Sequence, residues 1–268
     1  MDLLINISEI AIITGDNTFK SKRDYLIDFW KKNLKADFEK YKKLTEFVKE
    51  TDEDVIKKIT SKNNIDISLE LKQCVKSNNT NDLSTMKAEI FKKMTNLTEV
   101  ERTEITRSIT NTTNTKFGIK NENDITKLYE NMSGQKIIKD DKYRKIKLFD
   151  VGDLHIYIGG KIDGINANGD TIIEVKNRIH KLFYVLRDYE KVQIMCYMHL
   201  FGVDHGHLVE AHKKKENTDI NIIDVDLDET YMNDIFSKIT DFALFFNNFI
   251  LDHDAKINIL KNNCDVDF

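Results

Sequence analysis

Apolar residues recur at helical spacing through most of the first 116 positions of the chain. This periodicity predicts helices over residues 8–15, 20–47, 51–61, 67–77, 81–95 and 97–112. The second of these has an apolar face formed by Tyr25, Leu26, Phe29, Trp30 and Leu34. The polar, turn-like segment Asn111–Asn114 is the best candidate for a boundary. We therefore expect residues 1–116 to form an N-terminal helical region.

After residue 116 the pattern changes, and short β-branched runs alternate with helical stretches. Strands are predicted near residues 136–139, 145–162, 171–176, 206–212 and 220–226. Helices are predicted from about Phe117 through Tyr129, from Tyr189 to about Phe201 and from Asp228 to about residue 252. Strands with flanking helices predict an α/β fold over residues 117–268.

The two strands around the Asn168-Gly169 turn carry the residues with the clearest chemical potential. Asp163 lies near the end of the first strand, and Glu174 and Lys176 lie on the second. Alternate side chains of a strand share a face at about 3.3 Å per residue, so Glu174 and Lys176 should project together, roughly 7 Å apart. Two carboxylates and a lysine at a sheet edge suit a divalent metal ion and the water it activates. This arrangement suggests phosphodiester hydrolysis.

A Glu-x-Lys pair also arises by chance in a chain that is 32% charged, and it can simply lie on a solvated strand face. The chain has a second copy at Glu70-Leu71-Lys72. That copy lies in a predicted helix, where residues two apart point about 200° away from each other. Only the pair at Glu174 and Lys176 is therefore expected to act as a unit.

A third carboxylate, Glu122, opens the first helix after the boundary. At 100° per residue it lies in line with Thr126 and Tyr129 and leans toward the buried side. A carboxylate there needs a partner, because burying one alone is costly. The alternative is an ordinary acid at a helix N-terminus, where the macrodipole favours negative charge.

Gln193 lies within an apolar stripe of the helix that follows the hairpin, on one face with Tyr189, Cys196, Tyr197 and Leu200. A glutamine in such a position usually hydrogen-bonds a neighbouring backbone group. In a nuclease it could instead orient the attacking water or a phosphate. Both interpretations remain open.

The order Glu122, Asp163, Glu174-x-Lys176 and Gln193 resembles the PD-(D/E)XK nuclease superfamily, specifically its lambda-exonuclease and YqaJ-type viral recombinase branch. In that branch a Gly-x-x-x-Glu helix precedes the hairpin, and a helix carrying Gln-x-x-x-Tyr-Met follows it. The segment from Ser8 to Phe19 is similar to the branch's opening Ser-x-Ile-Ala-x-Ile-x-Gly-x-Asn-x-Phe motif. Two departures are visible: isoleucine replaces the proline that often precedes the catalytic aspartate, and residues 31–116 match no motif.

The resemblance implies that residues 117–268 form a restriction-endonuclease-like core, with a mixed central sheet flanked by helices. Such a core uses one or two Mg²⁺ or Mn²⁺ ions. Asp163 and Glu174 would ligate the metal with the backbone carbonyl of Val175, and Glu122 would contact it directly or through water. Lys176 would lower the pKa of the attacking water and stabilise charge on the phosphate. The glutamine of the following helix would orient that water or the lysine.

The resemblance also implies contacts between the N-terminal region and DNA. The expected substrate is duplex DNA with free ends, which is degraded 5′ to 3′ in viral or phage recombination, replication or repair. The expected partner is a single-strand-annealing protein, and the expected assembly is a ring-shaped homotrimer. A structure-specific or site-specific endonuclease and a catalytically silent nucleic-acid-binding protein are the alternatives. The expected DNA contacts are Ser8, Thr14, Asn17, Lys20, Lys22 and Arg23, which as an alternative are a helix start with solvated lysines.

Net charge and cysteine spacing narrow the expected binding partners and cellular compartment. The net charge of −4 argues against wholesale non-specific coating of nucleic acid, although residues 116–147 are locally basic. Cys74, Cys196 and Cys264 lie far apart in sequence, which predicts a reducing compartment and neither a disulfide framework nor a zinc site. With no signal peptide or spanning helix visible, we expect a cytoplasmic protein that is not secreted and has no membrane partner.

Overall fold

The computed structural model describes residues 1–140, 142–262 and 266–268. The helices in these ranges are α1 (Ile7–Ile13), α2 (Lys22–Asn33), α3 (Lys35–Thr45), α4 (Asp52–Lys62), α5 (Ser68–Lys76), α6 (Thr80–Lys92), α7 (Glu99–Lys120), α8 (Glu122–Ser133), α9 (Asp188–Phe201), α10 (Glu229–Leu251) and α11 (His253–Lys261). The strands are β1 (Asp2–Asn6), β2 (Ile137–Ile138), β3 (Arg144–Val151), β4 (Leu154–Gly160), β5 (Gly164–Asn166), β6 (Thr171–Asn177), β7 (His205–Lys213) and β8 (Thr218–Asp226). The predicted α/β class is confirmed.

The strands form two sheets. The larger has the order β2-β5-β6-β7-β8, and its central pair, β6 and β7, is parallel while its other pairs are antiparallel. The smaller has the order β1-β4-β3, with β1 parallel to β4 and β3 antiparallel to it. The chain passes from the smaller sheet to the larger through the short segment between β4 and β5. Asp163 lies in that segment.

Apolar packing fixes the helices around these sheets. The largest cluster joins β1 and β4 to α1, α2, α9 and α10, and it includes the fully buried side chains of Trp30, Phe242 and Phe246. A smaller cluster holds α8 against the larger sheet, where Ile125 and Tyr129 pack with residues of β6 and β7. A third unites α4 to α7, the part of the chain that matches no motif. As a result, α8 and α9 both pack directly against β6.

Several elements differ from the sequence-based expectation. The helix predicted over residues 20–47 is two helices, broken at Leu34, whose φ of −131° and ψ of 56° are not helical. The strand predicted over 145–162 is a hairpin that turns at Gly152, which has a φ of +57°. Strand β1 was not predicted, because its pairing with β4 joins segments about 150 residues apart.

The predicted turn at Asn111–Asn114 is wrong, because this segment lies inside α7. The Thr113 hydroxyl donates to the Ile109 carbonyl within its own helix, which lets a polar side chain remain buried in a continuous helix. The helix of Glu122 also begins later than predicted: Phe117 belongs to the last turns of α7, and Glu122 is the first residue of α8. The division of the chain at residue 116 into two regions stays a prediction.

Candidate active site

Glu174 and Lys176 lie on β6, the strand that pairs with β5 on one side and β7 on the other. Their side chains share one face, as the strand period predicts, and Lys176 Nζ donates to Glu174 Oε1 at 2.8 Å. Glu174 is only 4% exposed, and the Lys176 side chain is 23% exposed. Ile173 and Val175 point the other way into the cluster that holds α8. The alternative of a solvated strand face is therefore wrong for this pair.

Asp163 reaches the same strand from the segment before β5. Its Oδ2 accepts a 2.7 Å hydrogen bond from the backbone N–H of Val175. Burial and the nearby charge of Glu174 raise the pKa of the Asp163 carboxyl well above its usual range. Burial alone would lower the pKa of Lys176, but Glu174 and Asp163 together raise it. The site thus holds two close carboxylates and one charged ammonium.

Gln193, on α9, ties these groups together. Its Nε2 donates to Glu174 Oε1 at 2.9 Å, and its Oε1 accepts from Lys176 Nζ at 3.0 Å. A glutamine is suited to this position because one amide group supplies both a donor and an acceptor. The contact with the lysine is the arrangement anticipated for this residue, and it replaces the backbone hydrogen bond that was the alternative.

Close packing of α9 against β4 brings Gln193 to this position. Tyr197, one turn further along α9, lies over Gly160, where an added Cβ would come within 2.7 Å of the tyrosine ring. The absence of a side chain at Gly160 therefore permits the approach of the helix. Burial raises the pKa of Tyr197, and the charge of Glu174 acts in the same direction.

Glu122 is half-buried at the first position of α8, and its charge contributes to the raised pKa of Asp163. Among the described residues, no group of three or more histidine, cysteine, aspartate or glutamate side chains is arranged to hold a metal ion. Mg²⁺, however, is commonly bound through one or two carboxylates and keeps several waters. Asp163 and Glu174 fit that demand, since the repulsion between two close like charges is relieved by a cation between them.

Sequence reasoning missed a buried ionic network beside these residues. Arg178 Nη1 and Nη2 donate to the two carboxylate oxygens of Glu190 at 2.6 and 2.9 Å, and Arg178 Nε donates to Glu210 Oε1 at 2.8 Å. Both carboxylates are fully buried. Arg178 follows Lys176 by two residues, Glu190 precedes Gln193 by three, and Glu210 pairs in register with Lys176. The network therefore joins β6, β7 and α9 next to the site.

Two parts of this network had a signal in the sequence. Arg178 continues the alternation of β6, and Glu190 lies one helical turn before Gln193 on the same face. Glu210 had none, because only the parallel pairing of β6 with β7 brings it beside Lys176.

The residues expected to contact DNA lie outside the cluster of Asp163, Glu174 and Lys176. Lys22 Nζ donates to Asp267 Oδ1 at 2.7 Å and to the Phe268 carbonyl at 2.9 Å, and Arg23 Nε donates to the Asn262 carbonyl at 3.1 Å. The structure thus pairs both cations with the C-terminal segment. Ser8 and Lys20 are exposed, Thr14 ends α1, and the Asn17 side chain accepts from the Phe19 backbone. Their contact with DNA stays a prediction.

Cys74 and Cys196 are buried free thiols, and Cys264 lies outside the described residues. Within the described ranges, no helix has the length and apolar character needed to cross a bilayer.

Comparison with known proteins gives structural likenesses only. No protein-family model matches the sequence, and no curated protein matches it. The chain is similar to an alkaline exonuclease (LHK-Exo) from Laribacter hongkongensis, with 11% identity over 63% of this chain and 82% of that chain and a TM-score of 0.41. It is also similar to a phage-related exonuclease from Haemophilus somnus 129PT, with 15% identity over 52% and 72% of the two chains and a TM-score of 0.40.

A structure of LHK-Exo in complex with dAMP gives a TM-score of 0.39 at 11% identity, over 68% of this chain and 88% of that chain. Since the TM-scores are low, a conclusion about function depends on the chain's own residues.

Proposed function

We propose that this protein is a metal-dependent deoxyribonuclease that degrades duplex DNA from its ends, 5′ to 3′. The proposal rests on one cluster, in which Asp163 and Glu174 lie beside the ammonium of Lys176. Gln193 hydrogen-bonds both Glu174 and Lys176. A phosphodiester is an anion, so its hydrolysis requires positive charge where the attacking water and the phosphate meet. The motif order supports DNA ends as the substrate.

Asp163 and Glu174 would hold Mg²⁺ or Mn²⁺, with Glu122 as a further contact directly or through water. The Val175 carbonyl would join them, as the motif resemblance implies, and Asp163 lies within hydrogen-bond distance of the Val175 backbone N–H. When bound, the metal supplies Lewis acidity to the phosphodiester and acidifies a water molecule.

Lys176 has three N–H donors, of which two are directed to Glu174 and Gln193. The third can donate to a phosphate oxygen and stabilise the negative charge that develops in the transition state. The two hydrogen bonds fix the ammonium before substrate arrives, so little reorganisation is needed during the reaction. Gln193 acts through the lysine and Glu174, which it holds at a fixed separation.

On the basis of the motif resemblance, we also propose that the protein acts in recombination, replication or repair of viral or phage DNA with a single-strand-annealing partner. The same resemblance supports a homotrimer. Sedimentation of the purified protein would test the assembly. A digest of linear duplex labelled at the 5′ or the 3′ end, with covalently closed plasmid as the control, tests the activity.

With Mg²⁺, the 5′ label should be released first as mononucleotide, while the closed circle stays intact and chelator stops the reaction. Efficient nicking of the closed circle would favour the endonuclease alternative. Release of the 3′ label first would reverse the proposed polarity.

A further inference from the structure

The loop of residues 178–187, which we call the β6–α9 loop, connects the strand of Glu174 and Lys176 to the helix of Gln193. The buried network described above anchors its first residue, Arg178. Glu210 also accepts hydrogen bonds from the backbone N–H groups of Phe183 and Tyr184, at 3.2 and 2.9 Å. The same carboxylate therefore fixes the loop at both its beginning and its tip.

Tyr184 occupies an unusual position at that tip. Its side chain is 67% exposed, and its φ of +60° is a left-handed conformation that bulky residues rarely adopt. Such a conformation persists only where the surrounding structure imposes it, and it concentrates at functional sites. Here the Glu210 carboxylate accepts a hydrogen bond from the Tyr184 backbone N–H, and Glu210 pairs in register with Lys176 on the neighbouring strand. The backbone that carries the exposed ring is thus anchored beside the site.

The charge around this ring suits a nucleic-acid backbone. From Val175 to Arg187 the chain carries four lysines and arginines and no aspartate or glutamate. Arg178 is neutralised by its two carboxylates, but Lys181 and Arg187 are exposed. The Arg187 guanidinium lies over the Phe183 ring, 4.2 Å from its centroid. Exposed aromatic rings within a basic surface are the usual means of binding single strands of nucleic acid.

A second exposed aromatic borders the same region. Phe19, which is 83% exposed, makes an edge-to-face contact with Tyr189 of α9, with ring centroids 5.9 Å apart. Burial raises the pKa of Tyr189, and the charge of Glu190 acts in the same direction. Phe19 therefore lies against the start of α9, the helix that the β6–α9 loop leads into.

We propose that Tyr184 stacks on a nucleobase of the DNA strand that enters the site, and that Lys181 and Arg187 contact the phosphates beside it. The inference rests on the proposed function and adds to it the position that holds the base. Stacking on a ring is tolerant of sequence, because every base has a π face. The protein would thus bind the strand through its base and its phosphates, while the phosphodiester to be cleaved lies between the carboxylates and Lys176.

Three variants of the full chain test this assignment. Tyr184→Asn removes the ring and retains a residue that tolerates a left-handed backbone, whereas Tyr184→Phe keeps the ring. Val100→Asn, at a residue with 68% exposure on α7, is the matched surface control. The probe is duplex DNA with 2-aminopurine at its end, bound with Ca²⁺ in place of Mg²⁺. Cleavage at a duplex end whose terminal nucleotide is abasic, a diester without a base to stack, reports on the chemical site alone.

For Tyr184→Asn we expect the quenching of 2-aminopurine by wild-type protein to disappear and the KM and Kd for DNA to rise about tenfold. Turnover of the base-free diester should be unchanged, and Tyr184→Phe and Val100→Asn should behave as wild type. Wild-type quenching and KM in Tyr184→Asn would overturn the inference. If the wild type binds DNA but hydrolyses neither substrate, the proposed function fails, and the fluorescence still decides whether Tyr184 stacks. If it does not bind DNA, both are refuted.

Discussion

Removal of the Arg178 guanidinium should destabilise the protein more than removal of any surface cation. Glu190 and Glu210 are fully buried, and Arg178 approaches them at 2.6 to 2.9 Å. Arg178→Met would leave two carboxylates in the interior without their counter-charge. Breaking a buried pair in this way costs about 3–5 kcal/mol of unfolding free energy. Since two carboxylates share the arginine, the upper part of that range is expected.

A matched control is Lys58→Met. Lys58 pairs with Glu50 at 2.7 Å, so the ion-pair distance is similar, but its side chain is 66% exposed and that of Glu50 is 45% exposed. An exposed pair contributes roughly 0–1 kcal/mol. Urea denaturation of both variants, followed by far-UV circular dichroism, compares the two losses directly.

A further variant tests whether the lost stability comes from uncompensated charge or from the change in side-chain packing. In Arg178→Met combined with Glu190→Gln and Glu210→Gln no uncompensated charge remains, so part of the lost stability should return. If Arg178→Met is no less stable than Lys58→Met, the network does not hold β6, β7 and α9 together, and its role in positioning the site is refuted.

The remaining predictions concern the site itself. Asp163→Asn should abolish DNA hydrolysis and raise the melting temperature in chelator, because burial and Glu174 disfavour the charged carboxyl and raise its pKa; a lower melting temperature would contradict this. Gly160→Ala should cost about 1–3 kcal/mol, since its Cβ would lie 2.7 Å from Tyr197. Its control, Gly118→Ala, meets nothing within 4 Å inside α7 and should gain up to about 1 kcal/mol. Equal effects in urea denaturation would refute the packing argument.

Local periodicity was enough to place some of these residues. The period of two along a strand put Glu174 and Lys176 on one face, and the Asn-Gly turn put Asp163 on the segment opposite. The second Glu-x-Lys copy shows the converse, because in α5 Glu70 pairs with Lys93 at 2.5 Å and not with Lys72. In each case the geometry of one strand, one helix or one hairpin decides which side chains share a face.

Contacts between distant segments could not be predicted in the same way. Glu210 reaches Arg178 only through the parallel register of β6 and β7, and β1 forms only when β4 is present to pair with it. Lys22 and Arg23 turn toward the C-terminal segment, a placement that no local pattern indicates. The break at Leu34 was also hidden, because the apolar stripe continues across it while the backbone does not.

We propose that Lys176, Asp163 and Glu174 together form a phosphodiester-cleaving site. The most direct measurement is the rate of Mg²⁺-dependent cleavage of end-labelled linear DNA by Lys176→Gln, with Lys72→Gln, the exposed lysine of the other Glu-x-Lys copy, as the matched control. Loss of a preorganised charge at the reacting phosphate should lower kcat by at least about 100-fold, while Lys72→Gln should cleave at the wild-type rate. Equal cleavage by Lys176→Gln and wild type would contradict the assignment.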